Sequence, residues 1–123
     1  MATEADVRRI ALSLPETIEK PWFGSPGFRV KDKAFLRIRS EAEGWLVVFV
    51  ADLAEKEALL ASDPEKFHTT PHYDGYPTVL VDLPKVKVAE LRELICDAWL
   101  VKAPPKVRKE HEATVLKAAK GRA

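Results

Sequence analysis

Residues 28 to 39, Phe-Arg-Val-Lys-Asp-Lys-Ala-Phe-Leu-Arg-Ile-Arg, alternate apolar and basic side chains on both sides of a Lys31-Asp32-Lys33 break. A period of two belongs to a strand with one buried and one wet face. With the break as a three-residue turn, Phe28, Val30, Leu36 and Ile38 share the inner face of a hairpin. Arg29, Lys31, Arg37 and Arg39 then share the outer face, with Phe35 between them and Lys33 at the tip. Cations interleaved with an aromatic on a β-ribbon can hold phosphates and stack on bases. The competing reading is the solvated outer face of a half-buried sheet, which needs no ligand.

Other residue types that could do chemistry are placed less favourably. His68 and His72 stand at H-x3-H, which on a helix would aim both imidazoles at one metal. Here Pro71 and two threonines make the segment extended or looped, so loop hydrogen bonding is the expected role and no metal is expected. Cys96 could pair with His68, His72 or His111 as a nucleophile, but it falls on an apolar helix stripe with no basic neighbour to lower its pKa. The five glycines, at 24, 27, 44, 75 and 121, are not grouped as a phosphate loop. Carboxylates fall on helix faces and caps. Catalysis and cofactors are therefore not expected. Tyr73 and Tyr76 flank Asp74-Gly75, a tight-turn signal, and can either anchor the loop or present stacking faces. Trp22 and Trp45 are expected in the core or covering the sheet.

The chain that positions these groups has 123 residues, enough for one domain with a core that needs no disulfide or metal. A 46% hydrophobic and 32% charged composition is that of a globular protein. No basic leader precedes an apolar run, no apolar stretch approaches a membrane span, and Cys96 is alone. A cytoplasmic protein with no membrane partner, a monomer or weak dimer, is expected. The net charge of +1 excludes coating nucleic acid by bulk charge. From Lys102 onward, however, seven Lys or Arg face two Glu, a basic C-terminal arm on a mildly acidic body.

Thr3-Glu4-Ala5-Asp6 is a capping-box pattern, and Val7, Ile10, Ala11 and Leu14 form one helical stripe that Pro15 ends. A strand over Ile18 to Phe23 follows, with Lys20-Pro21 marking a sheet edge. After the hairpin, Trp45 to Val50 is apolar on both faces, as in a central strand. Asp52 to Glu55 opens a second helix reaching about Ala61. A loop from His68 to Pro77 leads into a strand over Thr78 to Leu83. Val88 to Lys102 predicts a helix with Leu91, Leu94, Ile95, Ala98 and Trp99 on one face. After Pro104-Pro105 a last helix, Lys106 to Lys120, has little beyond Val107, Val115 and Leu116 to bury. Consecutive strands point to an α+β fold. The expected form is a single two-layer domain with a mostly antiparallel curved sheet, helices on one face, and the order α-β(3–4)-α-β(1–2)-α-α. The domain is taken as residues 1–103, with 104–123 as its basic helical extension.

Three segments in this order resemble the MmcQ/YjbR family of small bacterial proteins: residues 12–35 (LSLPETIEKPWFGSPGFRVKDKAF), 71–83 (PHYDGYPTVLVDL) and 91–106 (LRELICDAWLVKAPPK). The resemblance implies a CyaY-like or secretion-chaperone-like α+β layout and DNA binding through two β-hairpin wings. Carried onto this chain, the wings are the Arg29 to Arg39 hairpin and the loop around His72, Tyr73 and Tyr76. Asp32 replaces the glycine common at the first tip, and the second wing has no Lys or Arg. The expected function is thus a non-enzymatic DNA-binding module, with a protein- or peptide-binding adaptor using the sheet surface as the alternative.

Overall fold

The computed structural model describes residues 2–22, 25–40, 45–71 and 73–120; the side chains of Trp22, Arg39 and Ser40 lie outside the description. Helix α1 (Glu4–Ser13) starts at a reciprocal capping box, with Thr3 Oγ1 accepting from the Asp6 backbone at 3.2 Å and Asp6 accepting from the Thr3 backbone at 2.9 Å. Three strands then run in sequence: β1 (Thr17–Trp22), β2 (Ser25–Val30) and β3 (Lys33–Ser40). After β4 (Trp45–Phe49) comes α2 (Leu53–Ser62), N-capped by Asp52. A two-residue strand β5 (Phe67–His68) precedes β6 (Thr78–Asp82), where the sequence predicted only loop at His68. A 3-10 turn at Leu83–Lys85 leads to α3 (Val88–Lys102) and α4 (Pro105–Ala119).

The six strands form one open antiparallel sheet in the order β1-β2-β3-β4-β6-β5, so the domain is α+β as expected. Helix α3 lies across β3 and β4, with α1 and α4 packed beside it, while α2 contacts β5 and β6. Leu91, Ile95, Ala98 and Trp99 of α3 are fully buried against Phe28, Leu36, Leu46 and Val48. Leu94, expected in that stripe, is only half-buried, because it faces the gap between α2 and α3. Trp99 Nε1 donates to Pro15 O at 3.0 Å, tying α3 to the end of α1. The last helix buries Val107 and Val115 and leaves Leu116 46% exposed. Among the described residues no helix is long and apolar enough to cross a membrane.

The hairpin departs from simple alternation at one point. Phe28 pairs with Leu36 but Arg29 pairs with Ala34, which leaves Phe35 as an extra residue in β3. Such a β-bulge sets two successive side chains on the same face. Phe35 and Leu36 are both fully buried, so Phe35 belongs to the core and not to the outer face. The turn has two residues, Lys31 and Asp32, with Lys31 at φ 57 and Lys33 already in β3 opposite Val30.

Two measurements test this packing. Ile95→Ala should lower unfolding free energy by about 2–5 kcal/mol in denaturant titration, and Leu94→Ala should cost clearly less. The second concerns Glu19, whose carboxyl the Arg8 guanidinium, bonded at 2.7 and 2.9 Å, holds below the ordinary 4.5. A carboxyl lowered in the folded state stabilises at pH values above its unfolded pKa, and that contribution is lost as pH falls through the lowered value. The melting-temperature gap between wild type and Glu19→Gln should therefore narrow on acidification from neutrality.

Candidate nucleic-acid interface

The strand register sorts the basic residues by face. Facing away from the helices, Lys20, Gly27, Arg37, Val47, Leu80 and His68 form one row across all six strands. The neighbouring row contains Ile18, Arg29 and Ala34. Lys20 and Arg37 are two strands apart, or roughly 9–10 Å at the usual strand spacing. No Asp or Glu falls on this face among the described residues of β1, β2 and β3. The acidic residue of β1, Glu19, points to the helix side and pairs with Arg8.

The predicted site residues divide accordingly. Arg29 and Arg37 occupy the outer face, and the sequence missed Lys20, which cross-strand pairing brings level with Arg37. Lys31 does not join them: its Nζ lies 3.4 Å from Glu16 Oε1 and its N–H donates to Glu16 O, which holds the tip against the α1–β1 connection. Lys33 is exposed but opens β3 on the helix side, opposite Val30. Phe35 is withdrawn into the core by the bulge. Arg39 sits at a second register shift between Ile38 and Ser40, with its side chain outside the described residues, and His72 lies wholly outside them.

The two predicted wings touch between Arg37 and Tyr73. Arg37 donates from Nη1 to the Tyr73 hydroxyl at 3.1 Å, fastening the loop after β5 onto β3. Lys56 of α2 fastens the same loop from below. It is only 5% exposed, and its Nζ donates to Tyr73 O at 2.6 Å and Tyr76 O at 2.9 Å. Burial pulls the Lys56 pKa below its ordinary value, against attraction from Asp74. Nothing in the sequence marks Lys56 as interior, because one lysine in a charged helix reads as solvated surface. Gly75 supplies φ 84 at the loop tip, and Tyr76 is left 61% exposed while Tyr73 is half-buried. The two tyrosines thus take the two roles open to them, anchor and exposed face.

Elsewhere on the outer face, Val47 and Leu80 are almost fully buried although no helix of the main layer covers them. On one side of this pair in the row, Trp45 stacks on His68 with ring centroids 4.9 Å apart, and on the other Arg37 donates to the Tyr73 hydroxyl. His68 Nε2 also lies 3.0 Å from Glu65 O. Among the described residues no group of three or more His, Cys, Asp or Glu is placed to hold a metal ion. The Cys96 thiol is buried in the core, and burial raises its pKa to about 11, which leaves it without thiolate character near neutrality.

An open six-stranded antiparallel sheet backed by helices defines a class of small α+β domain. The chain belongs to the YjbR family, whose model matches residues 12–101. Uncharacterised proteins of Mycobacterium bovis and Mycobacterium tuberculosis are 42% identical over 117 residues, covering 85% of this chain and 91% of each of theirs. The crystal structure of the Deinococcus radiodurans protein DR2400, a DUF419 domain, superposes with a TM-score of 0.74. It covers 89% of this chain and 88% of that one at 23% identity, a similarity of fold.

The Lys56 anchor makes a direct prediction. Lys56→Met removes one donor from each of two carbonyls, leaving Tyr73 O with the Tyr76 N–H at 3.1 Å and Tyr76 O with the Thr78 N–H at 2.8 Å, so the loss is that of hydrogen bonds from a charged donor, about 1.5–3 kcal/mol. Amide exchange at Tyr73 to Tyr76 should accelerate, while exchange in α3 should change only in proportion to the global loss of stability.

Proposed function

We propose that this YjbR-family domain is a non-enzymatic nucleic-acid-binding module that holds phosphates on the outer face of β1, β2 and β3. One observation carries the reading: Lys20, Arg29 and Arg37 share that face with no carboxylate among its described residues. Phosphate contacts position a protein without reading sequence, and they supply most non-specific affinity. Tyr76, 61% exposed on the loop that Tyr73 fastens to Arg37, offers an aromatic ring that the buried Phe35 does not, for stacking on a base or sugar. With Lys20 and Arg29 on the face beside Arg37, which already donates to the Tyr73 hydroxyl, affinity in the usual non-specific range of about 10⁻⁴–10⁻⁶ M is expected.

A second reading rests on the sheet edge. Strand β1 has a free side and Ile18 is 52% exposed, so an extended peptide could add a strand there. Pro21 removes one ladder donor from β1, which makes it a weaker template.

Fluorescence anisotropy with a labelled duplex and a labelled single strand at low salt separates the readings. Lys20→Glu with Arg29→Glu should abolish binding, and the melting temperature should hardly move because both side chains are on the surface. Neutralising either residue singly should reduce the slope of log affinity against log salt by about 0.9 per lost duplex contact. Neutralising Lys106, Arg108 and Lys109 of α4 is the control for attraction by the basic arm. If the arm variant loses binding and the face variant keeps it, the outer-face proposal fails. If wild type binds neither strand form, the peptide-binding reading replaces it.

A further inference from the structure

On the helix side of the sheet, a groove of about 330 Å³ opens between α2 and α3, floored by residues 48–51 at the end of β4. That is roughly eleven times the ~30 Å³ share of one water molecule, and it falls at the small end of ligand-pocket sizes. Leu59 of α2 and Leu94, Leu100 and Val101 of α3 make its walls apolar. Its polar side chains are all of one sign: Glu55 from α2, with Glu93 and Asp97 one turn apart on α3. No Lys or Arg lines it. Among the described residues none of the three carboxylates forms an ion pair, whereas Glu4, Asp6, Glu19 and Glu90 are all paired. Although Asp97 is exposed as a residue, partial burial of its carboxyl, followed by repulsion from Glu93 and Glu55, raises its pKa. A cation does stand beside the groove, since Lys102 Nζ lies 4.9 Å from the ring centroid of Phe49 in its lining, but among the described residues it forms no ion pair with the trio.

We infer that the groove between α2 and α3 is a binding site for a small organic cation with an apolar body and an ammonium head. The apolar body would displace water from Leu59, Leu94 and Leu100, and the head would sit among Glu55, Glu93 and Asp97. Such a ligand brings to the three carboxylates the ion-pair partner they do not have among the described residues, and at this volume it is a small molecule and not a helix. The site lies on the opposite side of the sheet from Lys20 and Arg29, so it is independent of nucleic-acid binding.

Three six-carbon probes of matched length test the assignment by calorimetry and by amide chemical-shift mapping: hexylammonium, hexanol and hexanoate. Hexylammonium should bind with shifts confined to residues 48–51, α2 and α3, at least about tenfold tighter than hexanol, and hexanoate should not bind. Glu93→Gln with Asp97→Asn should weaken hexylammonium about tenfold and leave hexanol unchanged. Leu59→Ser should weaken both, and because Leu59 is only partly buried this variant should remain folded by circular dichroism. Equal affinity for hexylammonium and hexanol, no effect of the carboxylate variants, or shifts scattered over the surface would each overturn the assignment. Shifts at the outer face of β1 to β3 in place of the groove would also overturn it.

Discussion

Trp99 has no exposed surface, and its indole N–H donates to the Pro15 carbonyl at 3.0 Å, so one side chain fastens the helix layer to the start of the sheet. A buried indole donor without an acceptor would cost about 1–3 kcal/mol. The acceptor exists because α1 has stopped just before Pro15, and that carbonyl has no partner within the helix. Glu16 then turns the chain at φ 56, a left-handed conformation that costs a non-glycine residue about 1–3 kcal/mol. Its carbonyl accepts from the Lys31 N–H and its carboxylate faces the Lys31 ammonium. The position of α3, the entry into β1 and the tip of the β2–β3 hairpin are therefore set at a single junction. The cationic face inherits its orientation from there.

The outer face and the α2–α3 groove are built on opposite principles. On the outer face, cations stand on rigid strands, and the loop beside them is fixed by two donors from different elements, Arg37 and Lys56. Precision there comes from backbone ladders that leave little freedom to the side-chain origins. In the groove, helical spacing gathers carboxylates and leucines around a space that the core does not fill. A domain of this size with a cationic face on one side and an anionic pocket on the other has two chemically distinct surfaces, although its net charge is only +1.

Much of the layout was legible in the sequence because it rests on local rules. The capping box at Thr3, the stop at Pro15, the edge strand marked by Pro21 and the span of α3 all follow from chemistry within a few residues. The inner face of the hairpin was also legible, since Phe28, Val30, Leu36 and Ile38 are all buried as alternation requires. Facts set by pairing were not. The bulge at Phe35 arises from how β2 and β3 register, and no periodicity in either strand alone encodes it. Lys20 joins Arg37 only through the ladder, and Lys56 turns inward only because a loop seventeen residues later brings its carbonyls overhead. Leu94 belongs to the right stripe by spacing, yet it is only partly buried, because it lines the groove between α2 and α3.

The extra residue in β3 has a consequence for how this strand can change length. Removing Phe35 would leave Phe28 opposite Leu36, Gly27 opposite Arg37 and Arg29 opposite Ala34, the pairings already present. The hairpin would become regular, and no cation would change sides. Ordinarily a one-residue deletion in a strand inverts every side chain beyond it, but here the ladder has a spare position that absorbs the step. Insertion and deletion at this point exchange only a phenyl ring in the interior, so the core bears the whole effect while the outer surface keeps its pattern. Strand β3 can thus lose a residue at this point while the face carrying Arg29 and Arg37 stays in phase.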